Sequence, residues 1–143
     1  MLEKLKQLKP WAPVIVRIGI SLVYLWFGIN QLVNPGAWIS WVPDYAVKLA
    51  PFPVTTLVLI NGGLETILGF FLFLGLWTRI VAGILSLHAL HLLSVVGYGA
   101  IGTRDFGIMM AIISVFLNGP DVFSFDDWRA SKALRNKNTE LAR

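Results

Sequence analysis

Three features of the sequence predict an all-α, integral membrane four-helix bundle with both termini in the cytoplasm. Four apolar runs separated by short polar turns fill most of the 143 residues. Hydrophobic residues make up 56% of the chain and charged residues only 14%, which is unlike a soluble domain. The basic residues gather at alternate run ends. Lys4, Lys6 and Lys9 precede the first run, Arg79 lies in the turn after the second, and Arg129, Lys132, Arg135, Lys137 and Arg143 follow the fourth. With four spans all of these fall on one side, against Lys48 and Arg104 on the other, and the positive-inside rule makes the basic side cytoplasmic.

Residues 1–12 read as an amphipathic segment lying on the inner leaflet. Leu2, Leu5 and Leu8 recur at helical spacing between lysines, and Pro10 closes the segment. A cleaved signal peptide fits poorly, because the apolar stretch that follows is long, contains Arg17 and lacks a small-x-small cleavage site. Residues 13–120 form the membrane domain. Its first span is Val14–Val33, close to the roughly 20 residues needed to cross a bilayer. Arg17, one turn inside, either snorkels as a topological anchor or pairs with Asp121 at the inner end of span four.

The long connection from Asn34 to Pro51 holds Trp38, Trp41, Tyr45 and the prolines Pro35, Pro43 and Pro51. It reads as an aromatic flap along the outer headgroups, serving as a membrane anchor or as a lid over a cavity. Spans two and three, Pro53–Leu76 and Ile80–Val96, are joined by a tight turn and so should be antiparallel neighbours. The glycine-rich stretch Gly97–Thr103 reads as a mobile outer loop. The last run, Phe106–Leu117, is short. Extended to Arg104 and Gly119 it reaches only about 24 Å, too short for a lipid-facing span unless shielded. Treating it as re-entrant would put the basic tail outside, against the charge rule. In residues 121–143, Val122, Phe123, Phe125 and Trp128 suit the interface, and a basic tail follows.

Polar residues inside the spans are costly and therefore informative. At a rise of about 1.5 Å per residue, Glu65 lies roughly 16 Å from the cytoplasmic end, His88 roughly 14 Å and His91 roughly 18 Å, all near the midplane. Asn61 is one turn outward of Glu65 on the same helix face, and Asn30 reaches a similar depth. Asp105 heads span four near Asn30, Gln31 and Asn61, which suggests a polar funnel down to Glu65. Asp105 is also what a helix N-terminus favours without any further role. Glu65 reads either as a carboxyl that locks two helices or as a proton-transfer or substrate-contact group. The histidines divide in the same way, between core residues and proton carriers.

Several chemistries are excluded or unsupported. With no cysteine, the chain itself carries no thiol-disulfide centre, thiolate metal site or covalent haem attachment. Two histidines and a carboxylate would suit a non-haem iron, but nothing in the spacing forces them onto one metal, and no metal ligands are assigned. Haem is disfavoured, because His88 and His91 share one helix face and two axial ligands must approach iron from opposite sides, and the di-iron pattern of several Glu with Glu-x-x-His is absent. Nucleic acid is not implied, because the positive charge lies at the ends of the chain and forms no polar face.

Certain motifs resemble those of DoxX-type membrane proteins. They are Arg17 with Gly19, the run Trp26-Phe27-Gly28-Ile29-Asn30-Gln31-Leu32, Glu65-Thr66-Ile67-Leu68-Gly69 leading to Gly75-Leu76-Trp77-Thr78-Arg79, and Arg104-Asp105 ahead of a span closing on Asn118-Gly119-Pro120. The resemblance covers roughly residues 14–127. It implies a four-helix membrane bundle related to the membrane subunit of thiosulfate:quinone oxidoreductase, with Glu65, Arg79, Arg104 and Asp105 at motif positions. Quinone is the cofactor it brings into view, since the residues alone assign none.

Two functions stay open at this stage. In one, the chain is the quinone-facing plasma-membrane subunit of an oxidoreductase. The ring would sit among Tyr24, Trp26, Phe27 and Tyr98, protons would pass through Glu65, His88 or His91, and a partner subunit would supply electrons. In the other, it is a non-catalytic scaffold or a carrier of small lipophiles. Candidate contacts to a ligand are Asn30, Asn61, Tyr98, Arg104 and Asp105, and candidate structural residues are Arg17, Arg79 and Gly69. Expected partners are membrane lipid, a redox subunit or a second copy of the chain.

Overall fold

The computed structural model describes residues 8–141, so most of the expected N-terminal amphipathic segment lies outside the described residues. The described chain is helical, and no strand occurs among these residues. Helix α1 spans Trp11–Val33 and is followed by a 3-10 helix, Pro35–Trp41, and the short α2, Asp44–Leu49. Then come α3 (Val54–Leu74), α4 (Thr78–Val96), α5 (Ala100–Asn118) and α6 (Phe125–Leu141). Four of these helices, α1, α3, α4 and α5, are long and apolar enough to cross a membrane.

The first three spans lie where the apolar runs predict them. The fourth starts earlier, at Ala100, so α5 has 19 residues and rises about 28 Å. Sequence hydropathy breaks at Arg104-Asp105, but the helix continues through both because the two charges pair with each other at 2.7 Å. The expected mobile loop is therefore reduced to a turn at Gly97–Gly99.

The tight turn joins α3 to α4 as neighbours, as expected, while α3 packs most closely on α1 and α4 most closely on α5. Small residues cause the α1–α3 pairing. A Cβ at Gly28 would lie 2.7 Å from the Gly62 carbonyl, and one at Gly62 would lie 2.9 Å from the Gly28 carbonyl, so only glycine allows this backbone approach. Gly69, two turns beyond Gly62 on α3, continues the seam against Tyr24 and Leu25.

Chain entry and exit share one end of the bundle, here the terminal end. Arg17, 1% exposed, donates to both Asp121 carboxylate oxygens at 2.6 and 3.2 Å and to the Leu72 and Phe73 carbonyls at 2.9 and 2.5 Å. It is thus a buried cross-link, not a snorkelling anchor. Helix α3 closes at Gly75 in the left-handed region (φ 67°), with Leu76 N–H donating to Phe71 O, a Schellman-type end. Asp126 then accepts from Trp77 N–H and Thr78 N–H at 3.0 and 2.7 Å, capping α4 from the far end of the sequence. Arg79 is exposed beside Gly119, where a Cβ would meet its guanidinium. The apolar core, including Ile20, Leu72, Leu85 and Ile112, fills the half of the bundle nearer this end. The opposite half, under the 34–51 connection, is hollow.

Candidate functional site: a polar cluster beneath an aromatic flap

The close α1–α3 seam brings Gln31 of α1 within reach of Glu65 of α3. Glu65 is 3% exposed and Gln31 5%. Gln31 Nε2 donates to Glu65 Oε2 at 2.8 Å. Asn61 Nδ2 donates to Gln31 Oε1 at 2.8 Å and to Glu65 Oε1 at 3.2 Å. From α4, His88 Nε2 lies 3.0 Å from Glu65 Oε1. A carboxyl at the centre of a span is costly unless its oxygens are partnered, and here three side chains partner them. Among the described residues no buried side-chain nitrogen or oxygen lacks a hydrogen bond. One hydrogen lies between Oε1 and Nε2 in each protonation state that keeps the contact.

The two histidines part company. His91 lies one turn towards the flap, is exposed, and bonds through Nε2 to the Tyr45 hydroxyl of α2. The two-histidine and carboxylate set that would suit a non-haem iron is therefore not assembled, and no group of three such ligands occurs among the described residues. What His91 does instead is fasten the flap to α4. Edge-to-face contact of Phe27 with Trp38, centroids 5.6 Å apart, fastens the flap to α1.

Between flap and cluster lies a cavity of about 510 Å³. Its walls are mostly apolar, with Phe27, Val58, Leu92 and Ile108 contributed by four different spans and Trp38 and Trp41 by the flap. Glu65, Asn61 and Gln31 form its floor, while Asn30, Arg104, Asp105, His91 and Tyr45 are spaced along its sides. Arg104 also covers the Phe27 ring, its guanidinium carbon 5.5 Å from the centroid. Tyr24 reaches the cavity wall and donates to the Leu85 carbonyl at 3.2 Å, sealing the floor towards the core.

Of the residues singled out in the sequence, Glu65, His91, Asn30, Asn61, Arg104 and Asp105 line this cavity, and His88 supports it from behind Glu65. Tyr98 does not belong. It is fully exposed on the Gly97–Gly99 turn, because the earlier start of α5 carries that turn past the cavity mouth. Gln31, in the sequence a neighbour of Asp105 and a member of the Trp26–Leu32 motif, belongs at the centre, and only the packing of α1 on α3 reveals it.

The DoxX family model matches residues 12–97. That is more than half of the chain, which therefore belongs to the DoxX family. Glu65 and Arg79 fall inside the match, and Arg104 and Asp105 fall beyond it. No curated protein and no solved structure matches the chain.

Proposed function

From DoxX membership and the cavity above Glu65, we propose that the chain is the membrane-embedded, quinone-binding subunit of an oxidoreductase whose electron donor reacts on a partner. The observation that carries this reading is the combination in one cavity of apolar and aromatic walls with a buried acid at the floor, Glu65, which is hydrogen-bonded to the His88 imidazole behind it. Volumes of several hundred Å³ with a few convergent polar groups are what small-ligand sites require. The apolar and aromatic lining, including Phe27, Trp38, Val58 and Leu92, suits a flat ring, and the second Nε2 hydrogen of Gln31, not used in its bond to Glu65, is a donor for a ring oxygen.

A quinone supplies two-electron acceptance coupled to uptake of two protons. The protein's part is to orient the ring, exclude water and hold a proton between Glu65 Oε1 and His88 Nε2. Thiosulfate, the donor suggested by the family resemblance, is a dianion unsuited to apolar walls, so in this reading it is oxidised on the partner. Lys9, Arg79 and the cations of α6 at the terminal end, against Lys48 and Arg104 at the flap end, support a plasma-membrane topology with cytoplasmic termini.

The complete internal pairing of Glu65 favours a second reading, a scaffold or lipophile carrier in which the cluster only locks helices. Binding separates the two. Trp26, Trp38 and Trp41 line the cavity, so a short-chain quinone added to the reconstituted protein should quench their fluorescence saturably. Glu65→Gln, which replaces the carboxyl that organises the floor, should weaken that binding about tenfold, about 1.4 kcal/mol. Non-saturable quenching, equal in both proteins, rejects the quinone site.

A further inference from the structure

Helix α6 is anchored only at its start. Asp126 ties its first turn to α4, and from Trp128 onward every described residue of the helix is exposed. At 3.6 residues per turn, Phe125, Trp128, Arg129, Lys132 and Arg135 share one face, and Asp126 and Asp127 lie off it. Phe125 and Trp128 rest against each other, centroids 5.2 Å apart, and Lys132 Nζ sits 5.0 Å above the Trp128 ring. Beside them Trp11 packs on Phe123 at 4.7 Å, which extends the aromatic collar round the terminal end of the bundle.

This face is cationic as well as aromatic. Among the described residues the ion pairs are Arg17–Asp121, Glu65–His88 and Arg104–Asp105, and none neutralises the three cations of this face, Arg129, Lys132 and Arg135. Aromatic rings at the end of a span set the depth of the headgroups, and cations clustered after a span attract anionic lipid. We propose that this face of α6 binds the phosphate-bearing headgroups of anionic glycerophospholipids in the leaflet at the terminal end. Charge complementarity selects the lipid, and the adjoining aromatic collar selects a membrane surface over a soluble acidic partner. The inference is independent of the quinone reading, since α6 contributes nothing to the cavity.

The test uses the full-length protein in phosphatidylcholine-containing micelles, titrated with phosphatidylglycerol and followed by native mass spectrometry. The wild-type protein should retain phosphatidylglycerol in preference to phosphatidylcholine, and the preference should fall as salt is raised. Arg129→Gln/Lys132→Gln/Arg135→Gln should lose on the order of a hundredfold in apparent affinity, whereas Arg129→Lys/Arg135→Lys should keep it. All three substituted residues are exposed, and unchanged circular dichroism confirms the fold. Equal retention of the two lipids by the wild type, or undiminished phosphatidylglycerol binding by the triple variant, overturns the proposal. So does capture of an acidic soluble protein without any lipid preference.

Discussion

Replacing Asp121 with alanine should unlock the terminal end of the bundle. The carboxylate is 5% exposed and is the only anion touching Arg17 among the described residues. Truncating one partner of a buried ion pair costs about 3–5 kcal/mol, because the other charge is left uncompensated. Here the Leu72 and Phe73 carbonyls, with Phe123 O at 3.5 Å, continue to solvate the guanidinium, which favours the lower end, about 3 kcal/mol. Asp121 Oδ1 also accepts the Phe123 N–H at 3.0 Å, a bond worth about 1 kcal/mol. The expected loss is therefore about 4 kcal/mol. It can be read from reversible unfolding in lipid bicelles followed by tryptophan fluorescence. The double variant Arg17→Met/Asp121→Leu removes both charges and should recover most of the loss. A loss below about 1 kcal/mol for Asp121→Ala, or a double variant no better than the single, would refute the buried cross-link.

Other consequences follow from the seam, the histidines and the cavity. Gly28→Ala puts a methyl 2.6 Å from Thr66 N and 2.7 Å from Gly62 O, so it should cost at least about 1–3 kcal/mol in the same unfolding assay. Gly63→Ala meets open space and should be neutral or stabilising by up to about 1 kcal/mol. His88→Ala removes a partner of a buried carboxyl and should cost about 1–3 kcal/mol in detergent. His91→Ala breaks only an exposed contact and should stay within about 0.5 kcal/mol of wild type. Equal losses from the two would undo the assignment of His88 to Glu65. Finally, the chain has no cysteine, so single cysteines can be introduced without background. A membrane-impermeant thiol reagent on the flap side should label Leu92→Cys, which lines the cavity, and leave fully buried Leu85→Cys untouched. Labelling of both, or of Leu92→Cys from the terminal side, would contradict a cavity confined to the flap half of the bundle.

Much of this was legible in the sequence where the signal is local. The first three spans follow from hydropathy, and two charges set at the same depth make the pairing of Arg17 with Asp121 one of two readings, between which the structure decides. The start of α5 was not legible, because an ion pair between neighbouring residues hides two charges inside a helix that hydropathy would end. Residues 88 and 91 are three apart and share a helix face, yet they diverge enough that one meets Glu65 and the other meets Tyr45. Only the rotation of α4 within the bundle decides which. Gln31 escaped for a similar reason, since an amide announces nothing until the glycine seam brings α1 against α3. The capping of α4 by Asp126 joins residues 48 positions apart and leaves no local trace at all.

The central claim is that the cavity above Glu65 holds a quinone ring, and the most direct measurement is the quinone content of the protein purified gently in its native lipid. Wild-type protein should carry quinone in a fixed ratio well above that of the surrounding lipid, and Glu65→Gln, equally well folded, should lose it. Quinone at the same level as bulk lipid in both proteins would contradict the claim and leave a packed scaffold as the account of the cluster.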